Sequence, residues 1–280
     1  MEGPSFIDRE GTATGRFIYQ IFDLDRNAYV TNTSTSSKIY FTTDGSTYTK
    51  AFSVFLNSSG YANFDLDPDC SFAVGTQKWM AGTSEDACYK DVNMSIEPNF
   101  DVIGQLKNVL TQPAYGSVFN VTQLIPINFT TLSDCSAERE DENPIINASS
   151  YTIELRSPLG IYESCSPVSN SYQGWYSCSW NSTGKKEGYW SIRVNSTKNY
   201  FNPNSTIYTN WFWLENVNPI AENFSVYIWN YSTSSWQNIE FNEYVGWSSR
   251  FNFTADVYDQ EGDSVAVSYT HLTLPTNREV

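Results

Sequence analysis

One histidine, His271, is all the imidazole that this chain of 280 residues holds, and it lies in the terminal stretch "SYTHLTLPTNREV", 268–280. A Ser–His or Cys–His nucleophilic pair would therefore rest on that residue alone, and no G-x-S-x-G turn accompanies it. Phosphate-cradling glycine loops are absent too. Carboxylates are plentiful, and two clusters have the density that a hard cation needs. Asp65, Asp67 and Asp69 alternate in "DLDPD", and Asp259, Glu261 and Asp263 crowd into "DQEGD". Both are weak calcium candidates, set against the plainer reading of acidic turns. "DLDPD" lacks the glycine and the distal Glu of an EF-hand loop. The run "EREDE", 138–142, reads as a solvated loop rather than a catalytic dyad. No catalytic residue and no cofactor beyond that calcium option is expected.

Aromatic residues offer a second chemistry. In "NWFWLEN", Trp211 and Trp213 fall on one strand face with Phe212 on the other. Exposed rings there would stack on sugars. Buried rings would fill a core or a contact between modules, which is the simpler reading. Trp175 and Trp180 flank Cys178 and read as core residues beside a disulfide.

The third chemistry is covalent. Five cysteines are present, with no C-x-x-C and no Cys/His cluster, which argues against zinc. Cys165 and Cys178 flank "SPVSNSYQGWYS", a hairpin centred near Ser171 and Tyr172, so their pairing is expected. Cys70 and Cys88 bracket a glycine-containing excursion and are expected to pair as well, each loop adding roughly 3 kcal/mol. Cys135 is left over, free to compete for a partner or to pair outside this chain. N-x-S/T occurs twelve times, at Asn32, Asn57, Asn93, Asn120, Asn128, Asn147, Asn181, Asn195, Asn204, Asn223, Asn230 and Asn252. In "NVT", "NFT" and "NFS" the middle residue is apolar, so on a strand Asn and Ser/Thr face water while Val or Phe enters the core. An Asn- and Ser/Thr-rich strand protein would also carry such sites by accident. Sequons and disulfides together point to an oxidising place outside the cytoplasm.

These residues need a scaffold, and the composition points to strands. Aromatics make up 16% and charged residues 17%, and Tyr, Phe, Trp, Thr and Val outweigh helix formers. Sixteen basic against 31 acidic residues give −15, which excludes a phosphate-neutralising surface, so nucleic acid is not an expected partner. No apolar run reaches transmembrane length, and the start "MEGPSFIDREGT" is no signal peptide. With the cysteines and sequons, that reads as a fragment of a longer exported chain.

Alternating strands at "RFIYQIFDL", "KIYFTTD", "YTKAFSVFL", "YANFDLD" and "SFAVGTQKW" are separated by turns at "DGS", 44–46, and "NSSG", 57–60. They predict a sandwich over 15–97, after a poorly ordered 1–14. A second sandwich is expected over 101–216, and "NVNPI" marks an extended junction after it. A third, 218–267, has about four strands where a sandwich needs about seven, so it reads as truncated.

Four resemblances sharpen this. Gly60, Tyr61, Phe64, Val74 and Gly75 carry a likeness to carboxypeptidase-regulatory-like modules of prokaryotic surface proteins, which implies a small non-catalytic sandwich. "GYWSIRV", 188–194, resembles the late strands of bacterial and archaeal Ig-like repeats, and "FNFTADVYDQEGDSVAV" resembles the middle of extracellular Ig-like repeats. The tail 268–280 resembles a translated sequencing-adapter read-through, which would remove His271 from the protein proper. The expected architecture is all-β, with tandem Ig-like β-sandwich domains of which the last is truncated. The expected role is a non-catalytic stalk of a secreted or surface-anchored glycoprotein, archaeal in type, with cell-surface proteins or glycans as partners. The alternatives are an adhesin or sugar-binding module, and the accessory region of a secreted hydrolase.

Overall fold

The computed structural model describes residues 1–10, 12, 14–135, 145–216, 220–239 and 250–258, with side chains 220–222 and 258 left undescribed. Every element among them is a strand. The first third supplies β1 (Phe6–Asp8), β2 (Gly15–Gln20), β3 (Phe22–Asp23), β4 (Ala28–Tyr29), β5 (Ser36–Thr42), β6 (Tyr48–Phe55), β7 (Tyr61–Leu66), β8 (Gly75–Thr83) and β9 (Val92–Asn93). A long strand, β10 (Asn99–Gln112), follows. Then come β11 (Val118–Asn120), β12 (Leu124–Ser133), β13 (Ser150–Arg156), β14 (Tyr162–Ser164), β15 (Ser169–Tyr172), β16 (Trp175–Asn181), β17 (Gly188–Thr197), β18 (Phe201–Asn202) and β19 (Asn204–Glu215). The last described strands are β20 (Ile220–Asn230), β21 (Ser235–Asn238) and β22 (Phe251–Tyr258), which form a three-stranded antiparallel sheet.

One sheet runs β15-β16-β12-β10-β8-β5-β6 and serves both of the first two modules. Over its β8-β5-β6 half lies the β2–β7 pair. Their inward residues meet in a core of Phe17, Tyr19, Ile39, Phe41, Trp79, Phe100 and neighbours. Over its β15-β16-β12 half lies the sheet β11-β19-β17-β13-β14, enclosing Ile125, Ile127, Phe129, Trp180, Trp190, Phe212 and others. Strand alternation explains both: β2 buries Phe17 and Tyr19 and leaves Arg16 out, and β12 buries Ile125, Ile127 and Phe129.

One expectation about organisation is corrected. Residues 6–9 are not a loose start: β1 pairs in parallel with β10, and Ile7 is 3% exposed in the first core. No linker separates the modules at 97–101, because β10 runs through without a break. Its inward residues serve three places in turn. Phe100 and Val102 join the first core. Leu106 joins a small cluster with Ile146 and Phe201, against which Val74 packs. Leu110 packs on the second core. "NVNPI" falls partly, and "EREDE", "DQEGD" and 268–280 wholly, outside the described residues. The turns at Gly45 and Gly60 form where the sequence places them, with φ of +78° and +79°, conformations that glycine adopts without a Cβ penalty.

Candidate functional site: the joint between two sandwiches

Chemistry-bearing side chains converge where β10 passes from one sandwich to the other. Arg9, just past β1, is 8% exposed. Its Nε donates to Asp134 Oδ2 at 3.0 Å and its Nη2 to Asp134 Oδ1 at 2.7 Å, a forked pair. Nη1 donates to the Phe72 carbonyl at 2.8 Å and Nη2 also to Ser133 Oγ at 3.1 Å. One guanidinium from the first module thus fastens the end of β12 in the second. Burial alone would push the Asp134 carboxyl up, but Arg9's hydrogen bonds and charge, with hydrogen bonds from the Gln105 backbone and the Ser133 hydroxyl, together hold the group below its ordinary value.

Beside this pair, Cys70 is bonded to Cys135, with Cα atoms 5.5 Å apart and a sequence separation of 65. The expected Cys70–Cys88 bridge is therefore overturned. Cys88 is a free, exposed thiol, and the residue left over in the sequence is the one that ties the modules together. Sequence spacing pointed to the nearer cysteine; the fold instead brings the loop before β8 against the end of β12. A second polar tie runs through Asp8, which accepts Gln105 Nε2 at 2.8 and 2.9 Å and Asn202 Nδ2 at 2.5 Å. Gly104 completes the packing: a Cβ there would lie 2.6 Å from Val74 Cγ1 and 2.9 Å from Phe201 Cε1.

Cys165 and Cys178 are joined as well, but not across a hairpin. The β15–β16 turn centres on Gln173 and Gly174, because Tyr172 pairs with Trp175. Cys165 follows β14 in one sheet and Cys178 sits on β16 in the other, so the bond crosses the second sandwich from sheet to sheet. Trp180 packs beside it, 4.7 Å from Trp190 between ring centres, whereas Trp175 is 39% exposed and is not a core residue.

Among the described residues the remaining candidates do not assemble. Asp65 is in an exposed forked pair with Arg16, and Asp69 accepts the Ser71 N–H and hydroxyl in a turn of its own. No group of three or more metal-ligating side chains occurs among the described residues. Asp259, Glu261, Asp263 and His271 lie outside them. Trp211 donates its Nε1 hydrogen to the Pro113 carbonyl at 2.7 Å and packs edge-on to Tyr115 and Tyr208. Trp213 stands edge-on to Tyr189 at 4.8 Å. The two indoles have separate aromatic neighbours. None of the twelve sequon asparagines is buried. No helix among the described residues is long and apolar enough to cross a membrane.

No family model matches the chain, and no curated protein matches it. Among solved structures it is similar to a tetra-tandem repeat from the extending region of a large adhesion protein, at 12% identity, covering 94% of this chain and 72% of that one, TM-score 0.31. It is similar also to the chicken CNTN1 FN1–FN3 domains, at 10% identity over 93% and 95%, TM-score 0.32. The Clostridium thermocellum CbhA fibronectin(III)-like modules give 14% identity over 76% and 90%, TM-score 0.28.

Proposed function

We propose that this chain is a non-catalytic spacer in an extracellular or cell-surface glycoprotein of archaeal type, holding a neighbouring region at a fixed distance from its anchor. The joint carries this reading. Two modules on an ordinary linker can hinge, since few contacts cross between them. Here a shared strand of 14 residues, a disulfide and a buried ion pair cross the boundary together. Bending at the joint would have to break β10 or expose Arg9. At about 3.3 Å per residue, β10 alone spans roughly 46 Å. Its two disulfides favour an oxidising compartment. Surface proteins or glycans are the expected partners. The half-buried, separately anchored Trp211 and Trp213 favour the spacer over a sugar-binding face.

Protease shaving of intact source cells tests this. The released peptides should include Cys70 and Cys135 still linked. Recovery of the chain solely from the cytosol, with all five thiols free, would sink the proposal.

A further inference from the structure

The twelve sequons are not equivalent in the folded chain. At Asn32, Asn57 and Asn181 the side-chain oxygen accepts the backbone N–H of the hydroxyl residue two positions on, at 3.0, 2.9 and 3.0 Å from Ser34, Ser59 and Thr183. Each bends the tripeptide into a compact turn and uses only Oδ1. All three residues are exposed, and no hydrogen bond from their Nδ2 atoms occurs among the described residues. They also sit at the two ends farthest from the joint. Asn32 precedes β5, whose Ser37 pairs with Thr83 at the end of β8 remote from the Gly75–Val102 pair. The Asn57 turn lies beside the strand leading there, since a Cβ on Gly60 would come 2.6 Å from the Val30 carbonyl. Asn181 ends β16 opposite Leu124, away from the Leu106–Ser133 pair.

At six other sequons the asparagine side chain is already used. Asn195 Nδ2 donates to Thr152 Oγ1 at 2.8 Å and Glu154 Oε2 at 3.0 Å. Asn128 Nδ2 donates to Gln112 Oε1 at 2.6 Å, and Asn223 Nδ2 to Asp256 Oδ2 at 3.0 Å. Asn204 Oδ1 accepts from the buried Asn108, and Asn147 Oδ1 from Asn170. Asn230 is the instructive intermediate: its oxygen makes the same turn with Ser232, yet its nitrogen is committed to Gln237.

We infer that Asn32, Asn57 and Asn181 are turn-held sites that this folded chain presents for N-glycosylation, while Asn128, Asn195 and Asn223 are spent on structure. In the transfer, Asn Nδ2 attacks the anomeric carbon of a lipid-pyrophosphate-linked sugar. The N–C bond forms, the C–O bond to pyrophosphate breaks, the lipid pyrophosphate leaves with the electron pair, and one amide proton goes to base. An Nδ2 held by Glu154 or Gln112 must first give up that bond. A typical protein hydrogen bond makes this worth roughly tenfold in rate. The inference deepens the reading of the chain as a surface glycoprotein.

The test treats the native full chain, and the same chain reduced and unfolded, with a purified oligosaccharyltransferase and its lipid-linked sugar, and scores each site by mass spectrometry. Native protein should be modified at Asn32, Asn57 and Asn181 about tenfold faster than at Asn128, Asn195 and Asn223, and unfolding should erase the ranking. Glu154→Gln with Thr152→Val should raise modification of Asn195 in the native protein. Equal native rates, a ranking that survives unfolding, or no native modification at the three turn sites would each overturn the inference. These outcomes do not depend on where the chain resides, so they separate from cell shaving: an unglycosylated cytosolic chain with the expected ranking in vitro would refute the surface reading alone.

Discussion

The sandwich cores and the joint between them are built from different materials. The first core is held by contact among rings: Phe17 lies edge-on to Phe41, Trp79 and Phe100 at 4.9, 5.2 and 5.3 Å. Its stability follows from apolar area and close packing. Among the described residues, the joint has only Leu106, Ile146, Phe201 and Val74 to bury. It relies instead on the Arg9–Asp134 pair, the Asp8 ties and Cys70–Cys135. A boundary between modules cannot grow a large core without merging them. Directional bonds and a covalent link fix the relative pose with little apolar surface.

The sharpest way to break that comparison is to leave the buried charge without its partner. Arg9→Met should cost about 3–5 kcal/mol, because Asp134 would stay partly buried and uncompensated. Replacing both, Arg9→Met with Asp134→Leu, should recover most of the loss. Urea unfolding followed by tryptophan fluorescence reads both. A single variant that costs under about 1 kcal/mol would mean the joint is not held as the geometry implies.

The two disulfides offer the next contrast. Cys70–Cys135 closes a loop with a separation of 65, and Cys165–Cys178 one of 13. Chain entropy then assigns the first about 4 kcal/mol and the second about 3. The double alanine variants should differ in kind as well as size. Without Cys70 and Cys135, the two sandwiches should begin to unfold in separate steps, whereas removing Cys165 and Cys178 should lower one transition without splitting it. Calorimetry of both variants decides. Splitting in the second variant and not in the first would reverse the roles given to joint and core.

The sandwiches were legible because alternation is local. Strands β2, β5, β7 and β8 of the first module announce their buried face at every second residue, and the Gly45 and Gly60 turns are marked by Asp-Gly and Ser-Gly. The joint was not legible, and β10 shows why. Its inward positions read Phe100, Val102, Gly104, Leu106, Asn108 and Leu110. Gly104 and Asn108 interrupt the apolar rhythm and look like a boundary. Gly104 is there because Val74 and Phe201 leave no room for a Cβ. Asn108 is there because it ties the two sheets of the second sandwich, donating to Asn204 Oδ1 and accepting from Thr131 and Ser196. Arg9 and Asp134 lie 125 residues apart, and nothing in either local sequence names the other. The same distance hid the partner of Cys135. For the sequons, the motif gave positions, and only the hydrogen bonds separate a presented amide from a committed one.

Acid gives the gentlest probe, and it sets the joint against an exposed turn. The Asp134 carboxyl sits below its ordinary 3.8, with burial opposing and Arg9 prevailing. A carboxylate depressed in the folded state contributes stability in full above its unfolded value, and loses it as pH falls through the folded one. The joint should therefore be unaffected from pH 7 to 5 and weaken only below about 3.8. Asp44, fully exposed, is held at about 2 by the N–H groups of Thr47 and Ser46 at 2.6 and 2.8 Å. Its protonation loosens one turn. Carboxyl carbon NMR should find Asp44 titrating at about 2 in the wild type and in the Arg9→Met/Asp134→Leu variant alike, since the turn makes its own bonds. The acid-dependent loss of global stability should shrink only in that variant. If it persists unchanged there, the carboxylate that guards the fold against acid lies elsewhere than the joint.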